Sequence, residues 1–495
     1  MHLTHSPKRR ALALLVGTTA LIAAAPLAAQ DRVVAALERE PDSLDPIYDT
    51  SLAALNVFYN VFDQLATIDE TGTVVPRLAE SWTANDDLTE WTFVLREGAT
   101  FHDGTPATAE DVVFTYQTAM EDSTSRLGGY LTTIESVAAP DDYTVVFTLT
   151  SPFAPFDRQT TLVPIVPSDT YQEMGAEAFA RNPVGSGPYD FVEWRNSDSI
   201  ELTRFDAYWG DKGTFETVIF QPVPDETTRA NSVQSGDVDI ALLGASSVPG
   251  VEAGGMVDIV NQQSNRIVYL GFNSNNPVLS DPEVREAIDM AIDRETLSTR
   301  LMNGAVDPTA QLVAPVSFGY DDTLPAQAFD AAGAASALEA AGYDGAPVTL
   351  TYPSTGLPQI DQVAQVVAYF LGEVGLNVEL NQTEMSTFSG EWFSNQFDGL
   401  FIYAFAPTVM DANLPFSMLL RTGGQGYTFD PRIDELLDQQ LGEADADARA
   451  SLLAEISAIV DDQTIYAPLF IDTYTYGVKP GLDWAPRPDG LMIFY

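Results

Sequence analysis

The chain has 495 residues, and 23 Lys+Arg against 71 Asp+Glu give a formal net charge of −48. With 45% hydrophobic and 10% aromatic residues it has enough apolar material for packed cores, which excludes a wholly disordered acidic chain. Its 20 Arg and 3 Lys form no basic run beyond Lys8-Arg9-Arg10, which argues against nucleic acid as a partner, and the lack of Cys removes disulfides, thiolate metal sites and thiol nucleophiles.

The basic triplet is followed by an apolar run from Ala11 to about Ala25, then by the small residues of Leu27-Ala28-Ala29-Gln30. This is the pattern of a secretory signal peptide over residues 1–29, and the Arg pair hints at the twin-arginine route. The run is shorter than the ~20 apolar residues of a membrane anchor. Cleavage after Ala29 removes 29 residues and three cations, leaving 466 residues and a net charge of −51. With no Cys to take a lipid, the mature chain is expected to be exported and soluble, not a lipoprotein. Scarce Lys among many acids suits a salty medium, where screening weakens self-repulsion. Thermal melts should therefore move upward from about 0.1 to about 1 M NaCl, as the screening length shrinks from ~10 to ~3 Å. A melting temperature that ignores salt would refute this reading.

Downstream, apolar and polar residues alternate over Leu88–Arg96 and Tyr143–Leu149, predicting two half-buried strands. Thr108-Ala-Glu-Asp111 opens a helix, its hydroxyl and acids suited to free N–H groups at a helix start. Asn182 to Pro188 is a turn cluster. Ser280-Asp-Pro-Glu283 opens a helix with Val284, Ala287, Ile288, Ala291 and Ile292 on one face, and Gly304 is expected to close it. Asp361 begins another helix, followed by Gly375 and a strand over Leu376–Leu380. Pro431–Leu441 and Ala446–Val460 have helical periodicity, and an aromatic strand follows Pro468 through Tyr476. A second turn-rich stretch runs from Lys479 to Gly490. Alternation of helix and strand predicts an α/β fold, and its length requires at least two lobes.

Catalytic chemistry finds little support. After signal removal His102 is the one remaining His, and with no Cys a zinc centre lacks ligands. There is no G-x-S-x-G elbow and no phosphate-binding glycine motif. His102 sits in Phe101-His-Asp-Gly-Thr-Pro106, where a turn-stabilising hydrogen bond is the favoured role. Pairs such as Asp86-Asp87, Asp141-Asp142, Asp321-Asp322 and Asp461-Asp462 leave a secreted carboxylate-pair glycoside hydrolase as the alternative function, although 71 acids make such pairs inevitable. No catalytic residue, metal or cofactor is assigned. Aromatic residues concentrate at Trp392, Phe393, Phe397, Phe401, Tyr403, Phe405 and Phe416. The Phe401, Tyr403 and Phe405 side chains share one strand face, and Ala406-Pro407 ends that strand. Strand ends in α/β sheets border ligand crevices, so one or two of these aromatics are expected to line a cleft.

Several segments together resemble the solute-binding proteins of bacterial ABC importers, specifically the dipeptide/oligopeptide/nickel-binding family (family 5). They are Asp42-Ser-Leu-Asp-Pro46, Pro76-Arg-Leu-Ala-Glu-Ser-Trp82, Trp91-Thr-Phe-Val-Leu-Arg96, Phe101–Pro106 with Thr108–Phe114, Asn182-Pro-Val-Gly-Ser-Gly-Pro-Tyr189 and Tyr208-Trp-Gly210. Thr228-Arg229, Ser235-Gly-Asp-Val-Asp-Ile240, Phe272-Asn273, Asp281–Ala287 and Ala291-Ile-Asp-Arg294 continue the series. The resemblance implies a two-lobed, periplasmic-binding-protein-like (type II) fold. Residues 30–265 plus 471–495 would form lobe I, with an inserted subdomain at about 70–180, and residues 270–470 lobe II. It implies a non-enzymatic, monomeric component that captures a peptide or similar small solute by hinge closure. That component hands its solute to permease and ATPase subunits at the inner membrane. Peptide-binding relatives place an Asp for the peptide's α-amino group on the strand after the Phe397-Asp398 region, where this chain has Ala404, Phe405 or Ala406. A bound ammonium would lack its usual counter-charge there, so sugars and amino-acid conjugates join peptides as candidate solutes. The ligand-binding candidates are Tyr48, Thr50, Trp392, Tyr403, Phe405, Asp411 and Arg421.

Overall fold

In a computed structural model, residues 2, 31–357 and 359–495 are described, so the signal peptide assigned to 1–29 lies outside the described residues, His2 apart. The two alternating segments form strands Glu90–Leu95 and Thr144–Leu149. Helix Ala109–Glu121 follows Thr108, whose backbone N–H donates to the Asp111 carboxylate at 2.9 Å. Helices Ile360–Glu373, Pro431–Leu441 and Ala446–Asp462 lie where periodicity predicts them.

The helix expected to run to Gly304 is divided. Pro282–Met290 is capped by Asp281, whose carboxylate accepts from Glu283 N at 3.0 Å. A new turn then starts because Asp293 accepts from Thr296 N at 2.9 Å, and Leu297–Leu301 widens to a π turn before Gly304 reverses the chain at φ +75°. The break lets the buried Arg294 turn inward, where its Nε donates to Pro468 O at 2.7 Å.

The main sheet runs Val378–Thr383, Val348–Pro353, Leu400–Phe405, Asp258–Phe272, Tyr466–Val478, Ile240–Leu242, Arg32–Leu37, Thr217–Pro222, Ser199–Arg204 and Tyr189–Arg195 in spatial order. Arg32–Leu37 is parallel to both neighbours and buried along nearly its whole length, which explains its unbroken apolar run. A separate antiparallel sheet of Ala79–Ala84, Glu90–Leu95, Thr144–Leu149 and Ile134–Asp141 packs into the same core as the N-terminal strands.

The hydrophobic cores divide the molecule into two lobes. One core unites Val33 through Ile240 with Tyr474, Tyr476 and Phe494. Two others draw on residues from Val268 to Phe470. The central antiparallel pair, Asp258–Phe272 with Tyr466–Val478, belongs to both lobes. Its outer half pairs with Ile240–Leu242 of lobe I, and its inner half with Leu400–Phe405 of lobe II.

Candidate functional site: the cleft at the crossing strands

The ladder between the two crossing strands is interrupted between Gln263 and Ile267, where the chain passes from one lobe to the other. Freed from pairing, Ser264, Asn265 and Arg266 make contacts that tie this crossing together. Ser264 Oγ donates to Asp472 O at 2.9 Å and accepts from Arg266 N at 3.0 Å. The buried Asn265 reaches lobe II through Nδ2, which donates to Pro407 O at 2.9 Å, while its backbone N–H donates to Pro488 O at 3.0 Å. Arg266 Nε donates to Asp472 Oδ2 at 2.8 Å, and Nη2 bonds the same oxygen. Burial alone would lower the Arg266 pKa, but the Asp472 carboxylate outweighs it and the net direction is upward.

Three adjoining cavities line the seam between the lobes, and Leu52 and Tyr474 border all three. The smallest, about 200 Å³, lies under the end of strand Leu400–Phe405. Leu55, Ile68, Leu162, Ala406, Met410 and Leu491 make it mainly apolar. Its charged wall, Arg487 with Asp489, is self-compensated by bonds of 2.7 and 3.2 Å. A central cavity of about 540 Å³ lies between Leu37, Asn56 and Tyr476 of lobe I and Thr355-Gly356 of lobe II. The third, about 490 Å³, is polar, with Glu38, Glu226, Arg229, Arg266, Gln362 and Thr473 on its walls.

The loop before Leu52 is built by two carboxylates. Asp49 accepts from Asp42 N at 2.9 Å, Ser43 N at 3.3 Å and Ser51 N at 2.8 Å. Asp45 accepts from Ile47 N at 3.0 Å and from the Tyr171 hydroxyl at 2.6 Å. These bonds fold residues 42–51 onto lobe I, and helix Leu52–Val61 starts at the cleft with Leu52 exposed on it.

Of the seven residues singled out from the sequence, Thr50 lines these cavities. The others sit elsewhere, for identifiable reasons. Tyr48 donates to Asp122 Oδ2 at 2.8 Å, and burial with that carboxylate pushes its phenol up to about 12. The aromatic strand face turns toward the lobe II core and away from the cleft: Trp392 and Phe388 pack on Tyr403 at 5.2 and 5.1 Å, and Phe405 joins the same cluster. No residue of the strand itself lines the cavity, which begins with Ala406 just beyond it. Asp411 is buried in an ion pair with Arg449, and Arg421 pairs with Asp438 at 2.9 Å. The cleft residues missed by sequence reading, Leu52, Tyr474, Glu38 and Arg266, lie far apart along the chain. The aromatic strand after Pro468 was the one signal pointing near them.

His102 bonds the loop at Gly185–Gly187, its Nε2 lying 3.0 Å from Gly187 O and its Nδ1 accepting from Gly185 N at 3.3 Å. It braces a turn, as expected. Asp86, Asp87, Asp141 and Asp142 are exposed to solvent. Among the described residues no group of three or more His, Cys, Asp or Glu could hold a metal, and no helix is long and apolar enough to cross a membrane.

Comparison with known proteins agrees with this architecture. The family described as bacterial extracellular solute-binding proteins, family 5, matches residues 73–427. The probable D,D-dipeptide-binding periplasmic protein DdpA of Escherichia coli is 26% identical over 480 residues, covering 94% of this chain and 92% of that protein. The glutathione-binding protein GsiB of Shigella dysenteriae is 26% identical over 491 residues, covering 94% and 93%. The structure of HbpA2 from Haemophilus parasuis superposes with a TM-score of 0.85 at 21% identity, covering 94% of this chain and 99% of that one. The unliganded open form of the murein tripeptide binding protein MppA gives 0.82 at 24%, covering 94% and 96%. These likenesses establish the two-lobed binding-protein fold, and the chain belongs to the bacterial extracellular solute-binding proteins of family 5.

Proposed function

We propose that this protein is the extracytoplasmic solute-binding component of an ABC importer, which captures a peptide or similar small solute between its lobes and presents it unchanged to a membrane permease. One observation carries the reading: adjoining cavities at the strands that join two separately cored lobes. A ligand touching both walls stabilises the arrangement in which the lobes close on it, and a permease recognises that arrangement. The peptide class is supported by relatives named for binding dipeptides and glutathione. Sugars and amino-acid conjugates are less favoured, and the protein acts as an exported monomer without turnover.

The test is denaturing release and mass spectrometry of solute from purified protein, followed by melts with mixed short peptides. Binding to the native state adds RT ln(1 + [L]/Kd), about 2.7 kcal/mol at a hundredfold excess over Kd, so the melting temperature should climb with concentration. No shift with any peptide, or steady turnover of an offered glycoside, would reverse the assignment.

A further inference from the structure

The charges along the cleft do not cancel evenly. In the apolar chamber Arg487 and Asp489 satisfy each other. In the central cavity Arg39 is met by Asp42 at 2.9 Å. In the polar chamber Arg266 is matched by Asp472. That leaves one cation, Arg229, for two carboxylates on the walls of the polar chamber, Glu38 and Glu226. The Arg229 guanidinium is already committed to backbone carbonyls, with Nε donating to Leu242 O at 3.1 Å and Nη1 to Val223 O and Pro224 O at 2.9 Å each. Only Nη2 is left for Glu38, at 3.4 Å. Glu226 Oε1 takes the uncharged hydroxyls of Ser246 and Ser247 at 3.0 Å each. Gly244 allows that carboxylate to lie close, since a Cβ there would be 2.0 Å from it. Glu38 borders both the central and the polar chambers, and its side chain is half exposed. The uncompensated negative charge of the cleft is therefore concentrated at one end, opposite an apolar end where Ala406 and Met410 offer no charge.

We propose that Glu38, supported by Glu226, is the specificity-determining anion of the cleft, and that the preferred solute is amphipathic. Its uncharged apolar group occupies the chamber at Ala406, and its ammonium or guanidinium group lies at Glu38. This rests on the solute-capture reading above and names the chemistry of its ligand. A charged group at a half-exposed position contributes to discrimination more than to bulk affinity.

The test uses the full mature protein and N-acetylated, C-amidated di-, tri- and tetrapeptides. Each has Leu first and Arg, citrulline or Glu last, so the probes differ in charge at nearly constant shape. Calorimetry should show Arg peptides binding about tenfold tighter than their citrulline partners, with Glu peptides weakest. Glu38→Gln should reduce the Arg-over-citrulline ratio to about twofold or less, and Glu226→Gln should reduce it partly. The wild-type ratio alone tests the proposal even if a variant misfolds. Equal binding of Arg and citrulline peptides overturns the proposal, as does a preference that survives Glu38→Gln. Where only free-amine peptides bind, the cation is the α-ammonium, and the proposal is overturned if Glu38→Gln leaves their affinity unchanged; none of these outcomes touches solute capture. Binding of no peptide, capped or free, removes both.

Discussion

Replacing Asp411 with Asn is expected to cost about 3–5 kcal/mol of stability, because it removes one member of a buried, hydrogen-bonded ion pair and leaves the other charged. The carboxylate is only 1% exposed and takes Arg449 in a two-pronged bond, Nη1 to Oδ2 at 2.8 Å and Nη2 to Oδ1 at 2.7 Å. Arg158 of lobe I adds its Nε at 3.5 Å, and both guanidinium groups lie over the Phe318 ring at 5.6 and 4.7 Å. One anion therefore serves two buried cations. Asn would keep an acceptor for Asn413 N, now bonded at 2.8 Å, but would turn an N–H toward Arg449. Burial already works against the charge on Arg158, whose pKa is lowered. Asp157 beside it is raised, also chiefly by burial, so it is a poor replacement anion.

The same cluster joins the lobes, since Arg158 Nη1 donates to Val409 O at 3.3 Å and Met410 O at 3.2 Å across the seam. Urea unfolding followed by tryptophan fluorescence suits the measurement, because Trp392 lies in the core that also holds Ala412 and Leu453. The surface pair Arg432–Asp430 supplies the control. Its Arg side chain is 60% exposed, and Arg432→Met should leave stability almost unchanged. Arg158→Met removes a buried cation and keeps the two-pronged pair, so its loss should fall between the two. If Asp411→Asn is no worse than the surface variant, the cluster is not the buried charge system described here.

These contrasts explain what the sequence could reveal. Local signals were legible: alternation gave Glu90–Leu95 and Thr144–Leu149, and apolar spacing gave Ile360–Glu373 and Pro431–Leu441. The crossing strand Asp258–Phe272 was not legible, because its two halves serve different lobes. Its polar first half has the irregular sequence of a bulged, half-exposed ladder, and only the second half is apolar. The helix after Asp281 was extended too far because Asp293 reads as one more polar residue until its carboxylate is seen capping Thr296. The cleft was nearly invisible for a further reason. Its walls come from residues near 38, 52, 226, 266, 356, 406, 474 and 489, which only the long-range pairing of the sheet brings together. Aromatic density pointed instead to Trp392 and Tyr403, where it marks core packing. The Ala at position 406 was the more useful clue, because the chain just after the strand borders the cavity.

The loop that presents Thr50 and Leu52 to this cleft should carry a measurable pH signature through Asp45. Its carboxyl is fully buried and is pushed up to about 6 from 3.8, chiefly by burial, which the bonds from Tyr171 and Ile47 offset only in part. A raised carboxyl pKa means that the folded state holds its proton longer than the unfolded chain. Below about pH 3.8 both states are protonated and the contribution of Asp45 is fully present. As pH rises toward about 6 the unfolded chain ionises first, and about 3 kcal/mol is lost by the time the folded group has also ionised. Asp45→Asn cannot ionise, keeps a carbonyl for Ile47 N and turns an N–H toward the Tyr171 oxygen. The stability difference, variant minus wild type, should therefore be near zero at about pH 4 and rise by about 3 kcal/mol at about pH 7. Taking the difference cancels every other titrating acid, which matters in a chain with 71 of them. A difference that stays flat across that interval would show that the buried carboxyl is not paying a desolvation penalty at neutral pH. If the rise is seen with solute affinity unchanged, the ionised Asp45 is a tolerated cost of folding residues 42–51 tightly enough to hold Thr50 and Leu52 against the cavity under strand Leu400–Phe405.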